Sequence, residues 1–459
     1  MFKKSLIFLA AALLVSAAQA EAPVSFDRAR SMLYERSHKL KADDALLESK
    51  RQASEALKTA GGPTLSIQAM QIAGQKEIDL DKNMSLPVPG SLSPMLGSSL
   101  NVPLSLHEKY SLNGPRASAT AFWPIYAGGK IEAGKAASKY EVDEAYAMKR
   151  ASVEELDAQL AGYYFGLQLA VSVENLRRDM LAQQDKELKR ALKFEKLGTI
   201  SRVERMSVQV ARDNMHREYL KAKDNADVAR TQLMRLLQDT HIGELTTPLF
   251  VLNTPLKPLA YWQNEAIVHN PQLAMIDAKA NRAAQGVKAA EAAWHPQVFA
   301  FGQYNFIKHY QTLVEPNWIG GIGVNITLWS AKDRRASVRS AEALVAQAEA
   351  GKAEALDAVK TNVEIAWLKT QNAIEQYRLA ASTVALAREN LELKSKGFGE
   401  GLTTALDVTE ARNQLYAAEV GRRLASFEFV SNYAVLHAIC GRMSEFMNDY
   451  KAKRVIVEN

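Results

Sequence analysis

From Ile125 to Thr247, and again from Asn317 to Asn459, the chain runs without a proline, in sequence rich in Ala, Glu, Lys, Gln and Leu. Such stretches favour very long helices, because proline is the residue that an α-helix interior tolerates least. Leu156, Leu160, Tyr163 and Leu167 step by four, three and four, the spacing of a coiled-coil seam. One plausible turn interrupts each stretch, at Gly198 and at Gly401. Arms of about 70 residues at about 1.5 Å per residue reach roughly 100 Å. A compact globular domain has no use for such a helix.

The two stretches are copies of one plan. Trp123-Pro124-Ile125-Tyr126-Ala127 aligns with Ile326-Thr327-Leu328-Trp329-Ser330 at an offset of 203, and Gly198 to Glu204 aligns with Gly401 to Asp407 at the same offset. Upstream the offset is 233, pairing Leu40 with Leu273 and Pro63 with Pro296, so the first copy holds about 30 extra residues. They fall in 75–115, where Pro87, Pro89, Gly90, Pro94, Gly97 and Pro103 predict a lengthened loop.

Each copy begins with a helical stretch of about 30 residues, Phe26 to Ala60 and Leu259 to Ala293, and breaks at Pro63 or Pro296. Two alternating segments follow. Val298, Ala300, Gly302, Tyr304 and Phe306 take one parity against Gln297, Phe299, Phe301, Gln303 and Asn305. Trp318, Gly320, Ile322, Val324, Ile326 and Leu328 take one parity in the partner segment. The first copy alternates more weakly, with Leu65, Ile67 and Ala69 against Ser66, Gln68 and Met70. Period-two alternation over about ten residues is what a tilted membrane strand shows, and an ordinary hairpin shows it too. Trp123, Tyr126, Trp294 and Trp329 cluster where these segments adjoin the helices, as an interfacial girdle would.

At the N-terminus Lys3 and Lys4 precede an apolar run from Leu6 to Val15, and Ala18-Gln19-Ala20 supplies a cleavage pattern. A secretory leader over 1–20 is expected, cut before Glu21. The formal charge is +6, and losing Lys3 and Lys4 leaves +4 spread among interleaved acids, which is no nucleic-acid footprint. Beyond the leader no apolar run is long enough for a spanning helix, so a membrane crossing would have to use strands. Cys440 is the only cysteine, so no disulfide can form within the chain.

Catalytic constellations are absent from the sequence. Gly129-Lys130-Ile131-Glu132-Ala133-Gly134-Lys135 matches seven positions of a phosphate-binding loop, but Ala136 stands where the metal-binding hydroxyl belongs, and 332–338 lacks both glycines and the lysine. The eight histidines show no metal-ligand spacing. Neither an enzyme nor a cofactor is expected.

The order of helix, strand, strand, long helix, turn and long helix, twice over, resembles the TolC family of outer membrane factors. Pro124-Ile125-Tyr126-Ala127-Gly128-Gly129-Lys130 is similar to that family's barrel-to-helix junction. Gly401 to Asp407 with Glu410, Ala411 and Leu415 is similar to its second periplasmic tip, and Leu436 to Gly441 to its closing helix. The resemblance implies an α+β membrane protein: a homotrimer in which each chain gives four strands to a twelve-stranded β-barrel, continued by a long α-helical coiled-coil barrel, with an internal two-fold repeat. Repeat 1 would span 21–237, with strands at about 63–126 and a hairpin at 127–237. A linker would fill 238–258, repeat 2 would span 259–440, with strands at about 296–329 and a hairpin at 330–440, and 441–459 would be a tail. Four strands cannot close a barrel alone, since about eight is the practical minimum.

The resemblance further implies an outer membrane channel reaching into the periplasm. It would be the passive exit duct of a tripartite efflux or type I secretion system, contacting outer membrane lipid and working with a periplasmic adaptor and a proton-driven or ATP-driven inner membrane pump. Asp407 and Glu410 map to an acidic ring at the channel entrance, and Gly198, Glu204, Gly401 and Thr403 to the hairpin tips. Pro124, Gly128, Gly129 and Trp329 map to the junction. Thr403 replaces the family's tip arginine, so the gate is expected to be held differently. Small-molecule efflux is the first expectation for cargo and polypeptide secretion the second. The competing reading is a soluble periplasmic coiled-coil adaptor, although adaptors usually carry one hairpin and several β modules.

Overall fold

The computed structural model describes residues 23–87, 99–308, 316–400 and 402–458. The expected leader, 1–20, and Gly401 lie outside the described residues. In order, the elements are α1 (Phe26–Arg36), α2 (His38–Lys58), β1 (Thr64–Pro87), β2 (Ser99–Ala127), α3 (Lys130–Lys196) and α4 (Arg202–Leu237). There follow β3 (Phe250–Leu252), α5 (Leu259–His269), α6 (Pro271–Glu291), β4 (Gln297–Lys308), β5 (Trp318–Asn325), α7 (Arg334–Gly399), α8 (Ala405–Ile439), α9 (Asn448–Lys451) and β6 (Val455–Val457). The long helices match expectation: α3 has 67 residues and α7 has 66.

The starts of α3 and α7, Lys130 and Arg334, lie 204 residues apart, and those of α4 and α8, Arg202 and Ala405, lie 203 apart. The opening helices also correspond, though each is broken. Ser37 ends α1 and its hydroxyl accepts the N–H of Leu40 (3.3 Å), while Asn270 ends α5 and its carboxamide oxygen accepts the N–H groups of Gln272 (2.8 Å) and Leu273 (3.0 Å). Both residues stop one helix and cap the next, because a short side-chain acceptor replaces the missing backbone partner.

The chain divides into two compact units. The first comprises Met1–Gln52, Lys139–Asn281 and Ala346–Asn459. Its core is aromatic: Phe26, Tyr164, Phe165, Phe250, Phe429 and Phe446 are fully buried, and Phe26 packs on Phe165 at a centroid distance of 5.5 Å. The buried Tyr164 hydroxyl donates to the Val24 carbonyl (2.7 Å) and accepts from the Thr247 N–H (3.0 Å), so no polar group is stranded there. The expected linker and tail are part of this core. β3 pairs antiparallel with β6 through Phe250↔Val457, so the linker and the tail hold each other: the apolar run Leu249 to Leu252 is buried, while Ile456 and Val457 stay exposed on the paired strand.

The second unit, Ala53–Ser138 and Arg282–Val345, carries a four-stranded antiparallel sheet in the order β1-β2-β4-β5. One prediction fails here. The stretch 75–115, expected as a loop, is strand over 75–87 and 99–115, where β1 and β2 pair without a break from Thr64↔Phe122 to Pro87↔Ser99, and its centre, 88–98 with Pro89, Gly90, Pro94 and Gly97, lies outside the described residues. Among the described residues β2 meets β4 only from Arg116 onward, so Pro103 and Pro115, which lack an N–H, fall where no described strand pairs with the second side of β2. The strand expected to reach Trp329 stops at Asn325, and 326–333 leads irregularly into α7.

Candidate functional site

At the junction Pro124 has no N–H for the ladder, and the β2–β4 register shifts between Pro124 and Tyr126, forming a bulge. Gly128 and Gly129 then take φ values of +68° and +89°, turning the chain from strand into α3. Gly128 has a second reason to be glycine: a Cβ there would lie 2.5 Å from the Ala292 carbonyl oxygen. The girdle residues are half-exposed to exposed, with Trp329 the extreme at 81 %. The Trp123 indole donates to the Gly61 carbonyl (2.9 Å). Arg334, which the sequence did not single out, stacks 4.3 Å over Trp294 and donates to the carbonyls of Ala293, Thr327 and Leu328. It gathers the ends of α6 and of the segment after β5 at one guanidinium.

The hairpin tips are built by two recurring devices. Beyond α3 the N–H of Thr199 bonds the Phe194 carbonyl (2.9 Å) and that of Gly198 bonds the Glu195 carbonyl (3.0 Å), with Gly198 at φ +71°, a Schellman stop. Beyond α7 the N–H of Leu402 makes the equivalent bond to the Gly397 carbonyl (2.7 Å). Each return helix opens with a capping box. Ser201 and Glu204 bond reciprocally at the start of α4, with 2.7 Å from the Ser201 N–H to the carboxylate. Thr404 and Asp407 do so at the start of α8, with 2.8 Å from the Thr404 N–H.

Asp407 therefore has a local partner. The Thr404 hydroxyl and N–H, with Lys394 at 3.8 Å, hold its carboxyl below the usual carboxylate range, and the Ser201 N–H does the same for Glu204. Glu410, three residues on along α8, is exposed, and the i,i+3 spacing places it on the helix face of Asp407. Thr403 donates its hydroxyl to the Lys394 carbonyl (2.9 Å), tying the turn back to α7. The tips also expose apolar side chains that the sequence reading missed: Leu197, Val203, Leu402 and Leu406 are each more than 70 % exposed. Their positions relative to the turn glycines were legible, but nothing in the pattern distinguished them from seam residues.

Among the described residues no group of His, Cys, Asp or Glu could hold a metal ion, and no helix is long and apolar enough to cross a membrane. The degenerate phosphate-loop sequence lies on the Gly128–Gly129 turn and the first turns of α3.

The sequence profile of the outer membrane efflux protein family matches residues 262–441. The alkaline protease secretion protein AprF of Pseudomonas aeruginosa is 23 % identical over 290 residues, 58 % of this chain. That match spans 60 % of AprF, less than two thirds of its length. The MtrE outer membrane channel of Neisseria gonorrhoeae, captured in its open state, superposes with a TM-score of 0.72 at 17 % identity, covering 94 % of this chain and 96 % of that one. The outer membrane protein VceC of Vibrio cholerae superposes with a TM-score of 0.70 at 16 % identity, covering 91 % and 96 %. The resemblance drawn from the junction and tip motifs agrees with these matches.

Proposed function

Residues 262–441 carry the outer membrane efflux protein signature and the chain has the fold of outer membrane channels, and on that premise we propose that this protein is the exit-duct subunit of an export system in the outer membrane of a Gram-negative bacterium. The observation that carries the reading is the sheet. One face exposes Leu65, Ile67, Ile322 and Val324, while the other gathers the polar residues Ser66, Gln68, Thr120, Gln303 and Asn305 together with Phe122, Phe301 and Ile319, and Ser66 and Thr120 share a hydrogen bond of 2.6 Å. Confining the polar side chains to one face is what lipid on one side and a water-filled lumen on the other require. Among the described residues the sheet ends in β1 and β5, each with an open edge. Open edges cannot stand in hydrocarbon, so three copies close a twelve-stranded barrel by pairing β5 of one with β1 of the next.

The hairpins α3–α4 and α7–α8, copies of one repeat, extend that barrel as a helical tunnel across the periplasm. Their tips, with exposed Leu197, Val203, Leu402 and Leu406, are the docking end for a periplasmic adaptor that brings an inner membrane pump. Asp407 and Glu410 of three chains form an acidic entrance in addition to the capping role of Asp407. The protein is a passive duct with no catalytic step.

For cargo, the similarity to a protease secretion protein supports polypeptide export, and the efflux family description supports small molecules. A deletion strain separates them. Retention of a secreted protein with unchanged sensitivity to toxic compounds assigns polypeptide export, and hypersensitivity with a normal secretome assigns efflux. A strain normal in both respects would contradict the export reading.

A further inference from the structure

At the offset of 203 that relates the two copies, Gly129, Ile131, Glu132 and Ala136 correspond to Lys332, Arg334, Arg335 and Arg339. Where the first copy has one acid, the second has four cations. The first copy passes from strand into long helix, β2 into α3, without that charge, so the shared architecture does not require it. Across Trp318 to Ala341 the only acid is Asp333, and its carboxylate is engaged, accepting the N–H groups of Arg335 (2.8 Å) and Ala336 (3.1 Å). The start of α7 is thus capped by its own chain, and the excess charge belongs to side chains.

Two of these cations, Lys332 and Arg334, line a cavity of about 440 Å³, a volume within the range of small-molecule sites. α6 supplies an apolar wall, the polar wall includes Gln297, Asn325, Thr327 and Ser330, and no carboxylate lines it. Arg334 directs its N–H groups to the carbonyls of Ala293, Thr327 and Leu328, so its charge is fixed in place without being neutralised. Lys332 is exposed, and its backbone N–H bonds the Ser330 hydroxyl oxygen (3.2 Å), which leaves that hydroxyl's own hydrogen to donate. Cations and neutral donors with no carboxylate among them form the set that an oxyanion takes, because charge-assisted hydrogen bonds to phosphate or carboxylate oxygens are the strong ones.

The sheet indicates the side from which a ligand arrives. Gln297 and Asn325 stand opposite each other in register and share the parity of Gln303 and Asn305, the polar side chains of β4. Ile322 and Val324, exposed on the other parity, mark the apolar face. A ligand that meets Gln297 and Asn325 therefore comes from water and not from the apolar side. We propose that this cavity binds a soluble oxyanion, the phosphate or carboxylate group of a small solute, with Lys332 as its principal charge contact.

The test uses the purified full-length protein in detergent, in a buffer of low ionic strength free of phosphate and polycarboxylates, titrated calorimetrically with inorganic phosphate and, separately, with citrate. Saturable binding of at least one of them, one site per chain, is expected. Lys332→Gln is expected to weaken it about tenfold or more, the size of one charge-assisted hydrogen bond, and Lys332→Arg to retain most of it. Lys288→Gln removes a cation of the same unit that lies outside this cavity and should leave binding unchanged. Lys332 is exposed, so its replacement removes no core contact, and equal unfolding midpoints check this. A parent that binds neither anion overturns the proposal. So does binding that Lys332→Gln leaves intact, or that Lys288→Gln weakens equally, since the anion then sits elsewhere. Short-chain phosphatidylglycerol supplies the last arm: binding of this lipid that depends on Lys332, with none of phosphate or citrate, means a lipid headgroup site and overturns the soluble ligand. Because binding is read on the isolated protein, a chain that takes the anion but forms no pore keeps this site and defeats the duct reading, and a pore without the site does the reverse.

Discussion

The turn after α8 is held by two titratable groups whose environments push in opposite directions. Glu154 on α3 accepts the N–H of Met443 (2.9 Å), and burial pushes its carboxyl from an ordinary 4.5 up to about 7. His437 on α8 shares a hydrogen bond with the Arg442 carbonyl (3.2 Å), and burial beside Trp262 and Tyr433 pulls it from 6.5 down to about 4. For Glu154 the folded state holds a proton that the unfolded chain has released between pH 4.5 and 7, so its contribution is largest below that window and is lost as pH rises through it. For His437 the unfolded chain binds the proton that the folded state refuses, so its contribution is present above pH 6.5 and lost as pH falls toward 4. Each has a limiting slope of about 1.4 kcal/mol per pH unit, and over the full shift each change is bounded by roughly 3 to 4 kcal/mol. In the parent the two slopes nearly cancel where the windows overlap. Glu154→Gln should therefore gain stability relative to the parent as pH rises from 4.5 to 7, and His437→Gln should lose it from 4 to 6.5. Denaturant unfolding followed by near-UV circular dichroism, at fixed protein concentration, measures both differences. Two variants displaced from the parent by constant amounts across pH would refute the opposed-burial argument.

Three further outcomes follow from the geometry. Gly128→Ala places a Cβ 2.5 Å from the Ala292 carbonyl on a left-handed backbone and should cost about 1–3 kcal/mol, read as a lower unfolding midpoint, whereas Gly134→Ala meets nothing within 4 Å and should be near neutral or stabilising. Asp157 is fully buried and accepts from the Arg30 guanidinium (Nε at 2.9 Å) and the Tyr34 hydroxyl (2.5 Å), and burial pushes its carboxyl up against those bonds. Asp157→Asn should lose about 3 kcal/mol by leaving Arg30 without its charge partner, while Arg30→Met with Asp157→Leu should recover most of it in the same unfolding assay. Replacing Asp407 and Glu410 together by Ala should lower cation preference and weaken multivalent-cation block in single-channel recordings while assembly persists, and unchanged selectivity would confine these acids to capping and solvating α8.

What could be read in the sequence was set by period and punctuation. Proline-free stretches with one turn glycine each pointed to long helices on either side of that turn, because local propensity and the absence of breakers suffice for helices such as α3, α4, α7 and α8. At the Gly128-Gly129 pair the sequence shows only that a turn is permitted, and the structure adds why glycine stands at 128, a positive φ beside a close carbonyl. The flanks of 75–115 were misread as loop because Pro87 and Pro103 forbid only a strand paired on both sides, and among the described residues β2 pairs there with β1 alone. Their alternation, polar at Glu77, Asp79 and Asp81 and apolar at Ile78 and Leu80, was in the sequence all along. The breaks at Ser37 and Asn270 were missed because a buried cap is chosen by tertiary packing. The pairing of β3 with β6 joins segments some 200 residues apart, which no local pattern reports.

The central claim is that this chain forms a trimeric pore in the outer membrane. Its most direct test is to fractionate cells producing the full-length protein, extract it with mild detergent, determine its mass, and reconstitute it in a planar bilayer. The account predicts that the protein sediments with the outer membrane, has three times the mass of the mature chain, and inserts as discrete cation-preferring conductance steps. Release by osmotic shock into the soluble periplasmic fraction, with a silent bilayer, would contradict it.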